Sequence, residues 1–103
     1  MTTIALFHSV LGVRRGVEDA ADRLRAFGYD VHVVDQYGGR SFDSPEEAAA
    51  HVEALGFPAL MQAALGATAD LPDGFVAAGF SNGAGMAEHV ALHRSVSAAV
   101  LYP

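Results

Sequence analysis

The sequence predicts a three-layer α/β/α fold around a parallel sheet, and three observations carry that prediction. Short apolar stretches rich in strand formers alternate along the chain with stretches of helical periodicity. The strand-like stretches are apolar almost without interruption, as strands covered on both faces are. The segments between them hold helices, and a strand, helix, strand unit closes as a right-handed crossover into a parallel pair. The expected string is βαβαβαβ with spatial strand order 2-1-3-4, in a single domain over residues 1–103.

Each element has its own signal. "TIALFH" (3–8) is the first strand, and "SVLGVRRG" after it is a loop punctuated by glycines. Val17, Ala20, Ala21, Leu24 and Phe27 then recur at helical spacing, with Glu18, Asp19, Asp22, Arg23 and Arg25 on the other side and Gly28 as a stop. "YDVHVVD" (29–35) is the second strand, and "QYGGRSFD" is the loop that follows. Ser44, Pro45 and Glu47 mark a helix start in capping-box register, with helix over about 45–55. "GFP" (56–58) kinks or restarts it, and Leu60, Met61, Ala64 and Leu65 form a second amphipathic piece. "DLPDG" turns the chain into the third strand, "FVAAGF" (75–80). Helix follows over 82–93, then a fourth strand over 95–103. Met61 and Met86 read as core filler.

Composition excludes several classes of function. With 51% hydrophobic and 17% charged residues, the 103-residue chain folds and is not disordered. Six basic against twelve acidic residues, with no basic cluster, make a nucleic-acid partner or an anionic membrane surface unexpected. The absence of cysteine removes disulfides and thiolate metal sites. The start, "MTTIALFHSVLG", has no basic n-region and too short an apolar run for a signal peptide or a membrane span, so a cytoplasmic location is the simplest assignment.

In an open sheet of this type ligands bind beyond the carboxyl ends of the strands where strand order reverses, here between strands one and three. The residues placed there are His8 to Gly12 and Gly79 to Gly83. The second group reads Gly79-Phe80-Ser81-Asn82-Gly83, a G-x-S-x-G pattern between a buried strand and a helix. A serine nucleophile on so sharp a turn needs small neighbours two residues to either side, because side chains there collide as strand and helix fold back on each other. Chance placement of the glycines gives about 0.07 such matches in a chain of this composition. The plainer reading is a glycine-rich turn in which Ser81 only caps the helix. A third reading has the Gly79–Gly85 loop binding a small anion at the helix amino terminus. However, the spacing is not G-x-G-x-x-G and no lysine accompanies it.

"LFHSVLGV", "GYDVHVVDQYGGR" and "GFSNGAGMA" together resemble, in order and spacing, the amino-terminal half of the dienelactone hydrolase family within the α/β-hydrolase fold. The resemblance spans essentially the whole chain. It implies hydrolysis of a small ester, lactone or thioester through an acyl-enzyme, with Ser81 in the nucleophile's place and no metal or other cofactor. It further implies an oxyanion hole made by the backbone N–H groups of Val10 and Asn82. Family members carry a cysteine nucleophile and a glutamate in the loop after the first strand, where this chain has Ser81 and Ser9. That points away from dienelactone itself as substrate.

The family's order is nucleophile, acid, histidine, yet after Ser81 the chain offers only Glu88, His89 and His93, all in the helix that starts at the turn. The expectation is therefore an amino-terminal part of a longer hydrolase, with triad acid and histidine outside these residues. A nonstandard Ser81, His8, Asp35 set is the internal alternative. Against it, a histidine ending that strand serves more simply to hydrogen-bond and orient the oxyanion loop. His8 and Arg40 are the candidate substrate contacts, Arg40 toward a carboxylate, although the plainer reading of Arg40 is an ordinary loop charge. His89 and His93 have the i, i+4 spacing of metal ligands but no third partner in pattern, so a solvated face is expected and no metal. His32 and His51 need only packing or solvent. Glu46 and Glu47 complement a helix dipole. The fourth strand, 96–102, is an exposed apolar edge through which a homodimer is expected, and an assembly module without catalysis is the other function class.

Overall fold

The computed structural model describes residues 2–80 and 82–102. Its element order is β1 (Thr3–Phe7), α1 (Arg15–Ala26), β2 (Asp30–Val34), α2 (Pro45–Leu55), α3 (Phe57–Thr68), β3 (Phe75–Phe80), α4 (Asn82–His93) and β4 (Val96–Tyr102). The four strands pair in parallel in the order β2-β1-β3-β4, the predicted order. Residue-by-residue registers such as Phe7 with Val34 on one side and with Gly79 on the other bring the carboxyl ends of the central strands level.

Alternation along the central strands divides the core into two layers. Ala5 and Phe7 of β1 and Phe75 and Ala77 of β3 point to one face, where Ala48 of α2, Leu60 and Ala64 of α3, and Met86, Ala87 and Val90 of α4 cover them. Ile4, Leu6 and Ala78 point to the other, where Val17 and Ala21 of α1 pack. Phe7 and Phe75 are among the largest fully buried side chains. Truncating either to alanine removes contacts worth about 3–5 kcal/mol.

Three local details refine the sequence-based expectation. The crossover from β2 to β3 holds two helices, because Gly56 takes φ +83°, a conformation most side chains resist, and Pro58 then sits in the first turn of α3. Phe27 lies just past the end of α1 and is 83% exposed, so it does not extend that helix's buried stripe. The two-helix crossover is the restart expected at "GFP", whereas β2 differs from expectation, because at the sheet edge it alternates, with Asp30 and His32 exposed and Val31 and Val34 buried. An edge strand meets solvent where a central one meets a neighbour. The predicted cap of α2 is present: Ser44 Oγ accepts from the Glu47 N–H at 3.2 Å. Strand β4 forms the opposite edge, with Ser97 to Val100 exposed. Among the described residues no helix is long and apolar enough to cross a membrane.

Candidate active site

Two segments leave the sheet side by side at the junction of β1 and β3. On the β3 side the strand ends at Phe80 and α4 begins at Asn82, so a single residue separates strand from helix. Gly79 is buried and paired with Phe7 and Leu101. Gly83 falls in the first turn of α4. Ser81, the predicted nucleophile, lies outside the described residues.

On the β1 side, residues 8–12 form a tightly tied loop. The Ser9 carbonyl accepts from the Gly12 N–H at 3.1 Å, and Ser9 Oγ accepts from the Leu11 N–H at 3.3 Å. Gly12 takes φ +93°, and a Cβ there would lie 2.7 Å from the Arg40 carbonyl oxygen, so only glycine fits. The Phe42 N–H donates to the Leu11 carbonyl at 2.9 Å and fastens this loop to the segment before α2. The Val10 N–H is not among the donors that the loop spends on itself, which leaves it available for a ligand.

His8 sits at the root of this loop, 3% exposed. Its Nδ1–H donates to the Ser9 carbonyl at 2.7 Å, and its Nε2 accepts from the Gln36 N–H at 2.9 Å. Those partners fix one neutral tautomer and commit both ring nitrogens to the backbone. Burial holds the His8 pKa below the ordinary 6.5, against the opposing pulls of the Ser9 bond and the Asp35 charge. The Asp35 carboxylate is itself engaged in a turn, accepting from the Tyr37 N–H at 2.9 Å and the Gly39 N–H at 2.8 Å. His8 thus does what the simpler reading assigns it, tying the loop after β1 to the end of β2.

A cleft of about 380 Å³ opens beside the loop, lined by Ser9, Leu11, Gly12, Arg14, Val17 and Phe80. On the other side of the same loop, a groove of about 440 Å³ is bordered by Val10, Ala49, Val52, Gly56 and Phe57. Arg40 does not line either cavity; its guanidinium stacks on the Phe42 ring at 5.4 Å. The arginine at the cleft is Arg14, which donates to the Phe42 carbonyl and pairs with Asp43 at 3.2 Å. Sequence reading did not single out Arg14, nor Gly12, Gln36 and Tyr37, whose roles come from partners far along the chain. Of the remaining histidines, His51 packs against Tyr37 at 4.9 Å and Phe42 at 5.0 Å between ring centroids, whereas His32, His89 and His93 have their described partners elsewhere. His93 Nδ1 donates to the His89 carbonyl at 2.9 Å, and His32 pairs with Asp30 at 3.0 Å. Among the described residues no three potential metal ligands come together.

A four-stranded parallel sheet in the order 2-1-3-4, helices on both faces and a one-residue turn from the third strand into a helix define a partial α/β-hydrolase fold. Among solved structures the chain is similar to a dienelactone hydrolase-like promiscuous phosphotriesterase from metagenomic libraries, at a TM-score of 0.81 and 20% identity. The match covers 99% of this chain and 47% of that one, so the chain spans about half the length of the structure it matches. No family model and no curated protein matches its sequence.

Proposed function

We propose that these residues form the nucleophile-bearing half of a serine hydrolase of the dienelactone hydrolase-like group, cleaving a small ester, lactone or thioester. The observation that carries this reading is the pairing of two segments: the G-x-S-x-G pattern between β3 and α4, set beside a β1 loop whose Val10 N–H has no partner among the described residues. In the reaction the triad histidine takes the Ser81 Oγ proton as the oxygen attacks the carbonyl carbon and the carbonyl π electrons move onto oxygen. It returns that proton to the leaving alcohol or thiol. The N–H groups of Val10 and Asn82 donate to that oxyanion. Collapse of the tetrahedral intermediate expels the alcohol or thiol and leaves an acyl-serine, which water then hydrolyses. In this reading the triad histidine and acid come from outside residues 1–103, because His8 has both ring nitrogens occupied and the only histidines after Ser81, His89 and His93, stand in α4, the helix that begins at Asn82. The cavities on either side of Val10 would receive the acyl and leaving groups. The solved structure's phosphotriesterase name makes a nitrophenyl phosphotriester a second probe of the same nucleophile.

Rapid mixing of the full-length protein with p-nitrophenyl acetate tests the proposal. A burst of nitrophenol stoichiometric with protein, absent from Ser81→Ala, is expected. A folded full-length protein that releases nitrophenol no faster than buffer would leave the noncatalytic anion-binding domain as the better account.

A further inference from the structure

Both peptide groups that flank Val10 are held from the carboxyl end of β2. The Ser9–Val10 peptide carries the N–H assigned above to the oxyanion. Its carbonyl oxygen receives His8 Nδ1–H at 2.7 Å and Gly12 N–H at 3.1 Å. In a trans peptide the C=O and N–H point in opposite directions, so two bonds on the Ser9 oxygen fix the line along which the Val10 N–H points. They also polarise that amide, since linked hydrogen bonds strengthen one another where the dielectric is low. His8 is pinned in turn by the Gln36 N–H on its Nε2.

On the far side, the Val10–Leu11 peptide is held by the next residue of the same segment: Tyr37 Oη donates to the Val10 carbonyl at 2.8 Å. Tyr37 is buried, and burial pushes its pKa above the usual 10, so the hydroxyl remains a donor across the working range. Its ring is wedged against His8 at 4.7 Å, His51 at 4.9 Å and Phe42 at 5.8 Å between centroids, and it leaves no space for a side chain at Gly12. Few rotations of the loop are compatible with all of these contacts at once.

We propose that Tyr37 and His8 are positioning residues for acyl transfer: Tyr37 through the Val10 carbonyl and His8 through the Ser9 carbonyl together aim the Val10 N–H at the developing oxyanion. The inference rests on the hydrolase reading above and adds to it the residues that set the hole's geometry. An oxyanion donor acts only in the transition state, so its misdirection lowers kcat and leaves KM in place. A tyrosine that merely filled the core would show no such split.

The test uses the full-length protein with p-nitrophenyl acetate and measures kcat, KM and thermal midpoint. Tyr37→Phe keeps the ring and removes one bond, so we expect a fall in kcat of about 10-fold or more, with KM within about twofold and little change in melting. His8→Ala should lose about 100-fold in kcat, and His8→Asn should recover part of it, because its amide nitrogen can reach the Ser9 carbonyl as Nδ1 does. An active parent whose Tyr37→Phe variant keeps its kcat, or whose His8→Asn variant is no better than His8→Ala, overturns this inference alone. A folded parent that neither turns over the ester nor reacts with a fluorophosphonate overturns the hydrolase reading and takes this inference with it.

Discussion

The two segments that meet at the junction of β1 and β3 are built on opposite principles. On the β3 side the signal is local: the strand ends at Phe80, the helix begins at Asn82, and the G-x-S-x-G pattern spans the junction. The loop after β1 is set at a distance, by Gln36 on His8 across 28 positions and by Tyr37 on Val10 across 27. In the proposed reading the nucleophile's place is thus written in five consecutive residues, whereas the orientation of the Val10 N–H is a tertiary property. A substitution in the turn should remove chemistry with little loss of fold. One in the loop, or in the β2 end that holds it, should degrade geometry and stability together.

The largest contrast is expected in activity. Ser81→Ala should lower ester hydrolysis by on the order of 10⁴-fold while thermal melting stays near that of the parent. Gly12→Ala should do the reverse. The new Cβ meets the Arg40 carbonyl oxygen in a backbone conformation unsuited to alanine, so stability should fall by about 2 kcal/mol or more in urea titrations, with activity declining as the loop shifts.

A smaller effect separates the regions by pH. The His8 pKa is lower folded than unfolded, so between the two values the unfolded chain binds more protons and stability rises with pH. His8's contribution should be complete above the ordinary 6.5, decline as pH falls below it, and level off beneath the folded value. Denaturation series at several pH values should show that slope in the parent and its loss in His8→Asn. The smallest effect belongs to the far end of α4. Since His93 spends Nδ1 on its own helix, replacing His89 and His93 by alanine should leave activity within about twofold, and added zinc should not raise the melting temperature.

Why some features were legible and others not follows from the same contrast. Strand order could be read because it depends on alternating elements and crossover handedness, and both are visible in runs such as "TIALFH" and "FVAAGF". The cap at Ser44 could be read because its partner, Glu47, is three residues away. Position alone left Arg40 open between a ligand-end cation and an ordinary loop charge; it stacks on Phe42, while Arg14 reaches the cleft from the start of α1. The role of Tyr37 could not be read, since nothing local in "DQYGG" marks a hydroxyl whose acceptor is Val10. That His8 ties down the loop after β1 could be read from its position alone. Its tautomer could not, because that depends on Gln36.

Mapping the adduct of a fluorophosphonate on the folded full-length protein by peptide mass spectrometry tests the central claim most directly. The account predicts one modified peptide carrying the phosphonate on Ser81, and no adduct in the Ser81→Ala variant. A stoichiometric adduct on another residue, or an unlabelled but folded protein, would contradict it.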